Sequence, residues 1–196
     1  MQALYDAAAT GWQDGISKLG FVTAYAKLMQ SVPDRPAQRV LDVGTGTGAF
    51  ANAWVTAKGP PDTLTLCDIS TTMLAAAADR LPGATTCMAS IGDPLEGMAP
   101  QDVVLCAHVI EHLEDPDAAL RWLFGRVRPG GMLVLALSRP HWCTALVRWR
   151  WGNAAYTPAR AQEMLKSAGF TDIILHPFTS GPPSRVSHGY VARRPE

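Results

Sequence analysis

Arg39-Val40-Leu41-Asp42-Val43-Gly44-Thr45-Gly46-Thr47-Gly48 is the stretch whose reading decides the fold. A short apolar run stops at glycines spaced two apart, and Ala49 to Lys58 then reads as a helix closed by Gly59-Pro60-Pro61. The same alternation continues downstream. Leu64 to Asp68 is a strand, Ser70 or Thr71 caps an alanine-rich helix running to Arg80, and Thr85 to Ala89 is a third strand. Asp102 to Ala107 is the fourth strand, and its continuous apolar run is the pattern of burial on both faces. Asp115 to Val127 is a helix ended by Pro129-Gly130-Gly131, Met132 to Leu137 is the fifth strand, and Pro158 to Ala168 is a helix ended by Gly169. Thr171 to Phe178 and Ser187 to Arg193 pair as an antiparallel hairpin across Gly181-Pro182-Pro183. Upstream, residues 1 to about 30 place Trp12, Ile16, Tyr25 and Leu28 near helical spacing, broken by Gly11, Gly15 and Gly20.

Strands alternating with helices predict an α/β fold with a doubly wound, mostly parallel seven-stranded sheet. Its C-terminal hairpin is antiparallel and helices cover both faces. The 196 residues suit one domain spanning 1–196. With 47% hydrophobic and 17% charged residues the chain is globular rather than disordered. Lysine plus arginine balances aspartate plus glutamate at 17 each, so no overall field draws in nucleic acid or an anionic membrane. Cys67, Cys87, Cys106 and Cys143 form no C-x-x-C pair, which reads as reduced thiols in a cytoplasmic protein. No basic segment followed by an apolar one opens the chain, so no signal peptide is expected, and no apolar run is long enough to span a bilayer.

In sheets of this kind ligands bind beyond the carboxyl ends of the strands, near the point where strand order reverses. The residues just after each strand are therefore the ones to inspect. The glycine loop follows the first strand, Asp68 ends the second, and His108-Val109-Ile110-Glu111-His112 follows the fourth. Ser138, Arg139, Pro140 and His141 follow the fifth. Gly44 to Ala49 fits the dinucleotide fingerprint G-x-G-x-x-[G/A], which alone is a weak signal. Asp42 sits two residues before the first glycine, where a nicotinamide enzyme normally keeps an apolar residue, and Asp68 is placed to accept both hydrogen bonds of a ribose diol.

Taken in order, these segments resemble the class I S-adenosylmethionine-dependent methyltransferases of small-molecule type. Val40 to Gly48 resembles that family's first motif, Asp68 its acidic residue ending the second strand, and Met73 its apolar cover for adenine. Asp102 to Pro116 resembles the fourth-strand motif, and Arg128-Pro129-Gly130-Gly131 the approach to the fifth. The resemblance covers about residues 39 to 193. It implies a Rossmann-like fold and a transferase that uses S-adenosylmethionine, releases S-adenosylhomocysteine and needs no metal. The implied cofactor residues are Asp42, Gly44, Thr45, Gly46, Gly48, Asp68, Ile69, Met73, Ser90, Ile91, Ala107 and His108. Many relatives carry an aspartate after the third strand for the adenine amino group. Here Ser90 stands there beside the Ile91 backbone, with Asp93 a few residues away. Within the domain, 1–35 reads as an N-terminal helical lid, 36–138 as the cofactor-binding core, and 139–196 as the substrate segment with the C-terminal helix and hairpin.

The acceptor is expected to be a small molecule of aromatic or lipophilic character, methylated at oxygen or nitrogen. A base is required only if it arrives protonated. His108, His112 and His141 lie at the cofactor edge and titrate in the useful range; His112 is one turn beyond His108 if a helix begins there. Trp12, His141, Trp142 and Trp149 are the expected acceptor contacts. The Trp- and Arg-rich stretch from His141 to Trp151 also suits peripheral contact with a bilayer interface. His108 to His112 spells the zinc-protease pattern H-x-x-E-H, but that pattern belongs on a helix and this one begins where a strand ends. The proline-and-aromatic motif of exocyclic-amine methylation and the Pro-Cys of cytosine C5 enzymes are both missing, which argues against a nucleic-acid substrate. Two rival functions remain, a non-catalytic binder of S-adenosylmethionine or a nucleotide acting as partner subunit, and an NAD(P)-dependent oxidoreductase.

Overall fold

The computed structural model describes residues 19–34, 39–141 and 154–196. A helix, α1 (Phe21–Ser31), precedes β1 (Arg39–Val43), α2 (Ala49–Lys58), β2 (Thr63–Asp68), α3 (Thr71–Arg80) and β3 (Thr85–Met88). The chain continues through β4 (Gln101–Ala107), a 3-10 turn (Ile110–His112), α4 (Pro116–Arg126) and β5 (Val127–Ser138). It ends with α5 (Pro158–Ser167), β6 (Thr171–Pro177), the one-turn helix α6 (Pro183–Val186) and β7 (Ser187–Arg193).

The seven strands form one sheet in the order β3-β2-β1-β4-β5-β7-β6, as the alternation predicts, with β7 antiparallel to both of its neighbours. The order reverses between β1 and β4, where Asp42 is level with Leu66 on one side and Leu105 on the other. Two apolar layers sandwich the sheet. Tyr25, Leu28 and Met29 of α1, Phe50 and Trp54 of α2 and Leu74 and Ala77 of α3 pack on one face. Leu120 and Leu123 of α4 and Met164 and Leu165 of α5 pack on the other. Ser70 is the residue that caps α3, its hydroxyl accepting the Met73 N–H at 3.2 Å.

Two boundaries differ from the sequence reading. β5 starts at Val127, not Met132, and runs through Pro129-Gly130-Gly131. The C-terminal tail supplies the partners there, since Gly130 N–H donates to Arg194 O and Arg194 N–H to Gly131 O, both at 3.0 Å. The β4–β5 register shifts between Gln101 and Val103, which lets the proline sit at an irregularity. In the final hairpin α6 occupies part of the connection that the sequence reads as a plain turn. Of the cysteines, Cys67 and Cys106 are buried and Cys87 half-buried, all three free; Cys143 lies outside the described residues.

Candidate active site

The loop after β1 is braced from β2. Thr45 N–H donates to Cys67 O at 2.9 Å, and Gly48 N–H to Thr45 O at 2.9 Å. Asp68 uses both carboxylate oxygens on the two adjoining loops, accepting from Gly46 N–H at 2.8 Å and from Ser70 N–H at 3.0 Å. Each oxygen retains acceptor capacity after one such bond. Gly46 has φ +53°, and a Cβ built on it would meet no atom within 4 Å, so the loop backbone faces open space. Gly44, at φ +66°, is different, because its missing Cβ would lie 2.2 Å from Val109 Cγ2.

Beneath that loop Asp42 is 1% exposed. Its Oδ2 accepts the Thr45 hydroxyl at 2.7 Å, while Oδ1 has no hydrogen-bond partner. Burial drives its carboxyl up to about 7, against the pull of the Thr45 hydroxyl and the Ala51 amide, and the nearby charge of Asp68 adds to the rise. A buried acceptor oxygen with no donor is costly, and a ligand carrying a donor or positive charge is one way to satisfy it. Along the same edge Met73 is buried and Ile69, Ser90 and Ile91 are half-buried. Ser90 N–H donates to Asp93 Oδ2 at 2.7 Å and Asp93 N–H to Ser90 O at 3.2 Å, so the Asp93 carboxylate closes its own turn.

The other half of the edge is built from β4, β5 and β7. His108 N–H extends the β4–β5 ladder by donating to Ala136 O at 2.9 Å, after which its backbone swings to φ +57°. Its ring Nδ1 lies 3.0 Å from Glu111 Oε1 and 3.2 Å from Ser138 Oγ, and its Nε2 lies 3.4 Å from Ser187 Oγ. Phe21 stands edge-on to the ring at 5.5 Å. Glu111 is 3% exposed and its Oε1 also accepts Ser138 N–H at 2.6 Å. Burial pushes its carboxyl upward, but the hydrogen bond and charge of His108, with the Ser138 N–H, outweigh this and hold it below the usual range. The 3-10 turn begins only at Ile110, and the left-handed backbone of His108 just before it brings its ring to Glu111 in the first residues of that turn.

The expected histidines fare differently. His112 closes the 3-10 turn, half-buried, and His141 lies half-buried just past β5. His176 and His188 fall in β6 and β7; His188 is buried against Arg139, with Nε2 and Nη1 3.0 Å apart. Trp12, Trp142 and Trp149 lie outside the described residues, as do residues 1–18 of the lid and 142–153 of the substrate segment. Within H-x-x-E-H, Glu111 is the hydrogen-bond partner of His108, and no group of His, Cys, Asp and Glu side chains is placed to hold a metal among the described residues.

Tyr25 and Ser187 were not named as site residues from sequence, and Glu111 and Ser138, which stand among the residues after the fourth and fifth strands, were given no role there. Tyr25 is 4% exposed, lies T-shaped on Phe50 at 4.8 Å and is 6.4 Å from the His108 ring. Its hydroxyl is pushed far above the ordinary tyrosine value by burial, then by Glu111 and Asp42. A glutamate three residues after His108, just past the end of a buried strand, was the available signal for Glu111. Helical periodicity marks Tyr25 as buried and says nothing of its neighbours.

Residues 41–133 match the methyltransferase domain family. Among curated proteins, the ubiquinone/menaquinone biosynthesis C-methyltransferase UbiE of Ralstonia nicotianae is 34% identical over 110 residues, covering 54% of this chain and 45% of that protein. An uncharacterised Synechococcus protein is 31% identical over 119 residues, covering 58% of this chain and 28% of its own length. The chain thus spans less than half the length of these relatives. Among solved structures, a chain of the complex between the Haloferax volcanii Trm112 methyltransferase activator and a methyltransferase superposes with a TM-score of 0.80 at 17% identity, covering 98% of each. The N-methyltransferase NodS of Bradyrhizobium japonicum, solved with S-adenosyl-l-homocysteine, gives 0.70 at 20% identity over 88% of this chain and 86% of that one. The family match falls on β1 to β5 and the seven-stranded fold is shared with these structures, so this region is similar to the class I, Rossmann-like S-adenosylmethionine-dependent methyltransferases.

Proposed function

We propose that the protein transfers the methyl group of S-adenosylmethionine to a small-molecule acceptor at oxygen or nitrogen. The observation that carries this reading is the cradle at the β1–β4 reversal. There the Asp68 carboxylate, the open space over Gly46 and the unpartnered Asp42 Oδ1 share one edge of the sheet. A ligand with a ribose diol, a positive charge and a slender methionine chain fits that set.

When bound, S-adenosylmethionine supplies an already activated methyl group. Asp68 accepts the ribose hydroxyls, and Met73, Ile69, Ser90 and Ile91 flank the adenine. The backbone of Gly44 to Gly48 and the Asp42 carboxylate border the methionine part, with Ala107 and His108 closing the far side. These groups work by positioning, and holding two reactants in line removes much of the entropic barrier. His108, His112 and His141 are the candidate proton acceptors. Residues 1–30 and 141–156, with Trp12, His141, Trp142 and Trp149, are assigned to the acceptor side. The reaction is placed in the cytoplasm, and among the described residues no helix is long and apolar enough to cross a membrane.

Titration calorimetry of wild type and Asp68→Ala tests the assignment. Hydrogen bonds to a charged acceptor contribute about 1.5 to 3 kcal/mol each, so affinity for S-adenosylmethionine should fall at least about tenfold. Unchanged affinity in a folded variant overturns the ribose assignment, and a wild-type protein that binds no S-adenosylmethionine overturns the function.

A further inference from the structure

We infer that Glu111 is a positioning residue that holds His108 as the proton acceptor for a hydroxyl-bearing methyl acceptor. The inference rests on the methyl-transfer reading and narrows it to one acceptor chemistry.

An ionised carboxylate only accepts hydrogen bonds, so the 3.0 Å contact with Glu111 Oε1 places the proton of neutral His108 on Nδ1. Ser138 fixes that carboxylate from the other side through its N–H at 2.6 Å. Nε2 then carries the lone pair, and its neighbour Ser187 Oγ stands at the long distance of 3.4 Å. Ser187 is 1% exposed, so the order Ser187–His108–Glu111 does not make an acyl-transfer triad, because no substrate carbonyl reaches the serine. The His108 side chain is 21% exposed, so it is not sealed in the core as Glu111 is. A left-handed backbone in a residue with a Cβ is strained, and it persists here because the ladder bond, Glu111 and Ser138 over-determine it.

This arrangement serves a hydroxyl and is not needed by an aromatic amine. An aromatic amine is already the free base near neutral pH and attacks without help from a protein base. An alcohol or phenol, with a pKa of about 10 or more, keeps its proton until the new bond forms. The acceptor oxygen then bonds to the methyl carbon as the carbon–sulfur electron pair leaves to sulfur, and the hydroxyl proton goes to His108 Nε2. Glu111 faces the resulting imidazolium, and the proton later leaves to solvent.

Multiple-bond proton–nitrogen spectra of protein labelled with nitrogen-15 histidine read the tautomer directly, with His108 assigned by its loss in His108→Gln. Neutral His108 should carry its proton on Nδ1, and Glu111→Ala should shift it toward the Nε2–H form that free imidazole side chains favour. A wild-type His108 protonated on Nε2 overturns the inference, and that spectrum decides even if Glu111→Ala fails to fold. With methyl-labelled S-adenosylmethionine and matched phenols and anilines, phenol methylation should fall by a factor on the order of 10² in His108→Gln and at least about tenfold in kcat in Glu111→Gln. The KM for S-adenosylmethionine should stay unchanged. Methylation of anilines alone, of no phenol, or of phenols at full rate in both variants overturns the inference. A chain that binds no S-adenosylmethionine fails the methyl-transfer reading separately, leaving the tautomer to decide the role of Glu111.

Discussion

The loop after β1 and the turn after β4 each bury a carboxylate at the same edge of the sheet. Asp42 is 1% exposed and Glu111 3%, and each leaves one oxygen without a hydrogen-bond partner. Burial pushes both upward, yet Asp42 rises to about 7 and Glu111 ends below its usual range. The difference lies in the neighbours. Glu111 faces a histidine that can carry positive charge and a backbone N–H at 2.6 Å, whereas Asp42 faces a neutral hydroxyl, an amide and the like charge of Asp68. One carboxylate has an ionisable partner within the chain. The other has none, which is why the glycine-loop half reads as the cofactor side and the β4 half as the side that handles protons.

Asp42→Asn should give the largest effect. With the folded pKa above the unfolded one, the native state holds the extra proton between about 4 and about 7, so the contribution to stability is lost as pH rises through that window. A shift of about three units corresponds to about 4 kcal/mol, an upper figure for a buried group. Ligand-free Asp42→Asn should therefore melt roughly 10 °C above wild type at pH 8 and close to it at pH 4. Melting curves that stay parallel across pH would remove the contrast with Glu111.

Glu111→Ala should act with the opposite sign. It leaves the Ser138 N–H and His108 Nδ1 without their carboxylate, a loss of about 3 kcal/mol at pH 7. The folded pKa of Glu111 is depressed, so its contribution is fully present above the unfolded glutamate value and disappears as pH falls through the folded one. The gap between wild type and variant should close in acid, while that for Asp42→Asn opens in base. Denaturant unfolding of the two variants at pH 4, 7 and 8 measures both slopes.

How much of this was legible from sequence follows the range of the interactions. The strand–helix alternation, the cap at Ser70 and the convergence of Gly44 to Gly48, Asp68 and His108 on one edge depend on local pattern, and the structure shows each of them. β5 was cut short because Pro129-Gly130-Gly131 reads locally as a stop, while pairing of Val127 with Gln101 and hydrogen bonds from the C-terminal tail, over 60 residues later, continue it. The Glu111–His108 pair was missed for a local reason. H-x-x-E-H invites helical counting, which pairs the histidines at i and i+4, while His108 stands outside the 3-10 turn with a left-handed backbone that turns its ring to Glu111. Ser138 and Ser187 meet His108 through strand pairing across three segments, which no spacing rule encodes.

The smallest predicted effect tests whether the two halves are mechanically joined. Gly44 and Gly46 both need a left-handed backbone, so alanine at either costs about 1 to 2 kcal/mol from backbone strain alone. Beyond that they diverge. At Gly46 the added methyl enters open space, and its further harm should appear only when S-adenosylmethionine binds. At Gly44 it would lie 2.2 Å from Val109 Cγ2, so Val109, in the turn leading to Glu111, must move. That overpacking should cost Gly44→Ala about 1 kcal/mol more than Gly46→Ala. The excess should vanish in a Val109→Ala background, where the clashing methyls are gone, as a double-mutant cycle in urea would measure. If the excess survives removal of Val109, Gly44 is constrained by its backbone alone, and the glycine loop and the β4 turn are neighbours rather than coupled parts of one site.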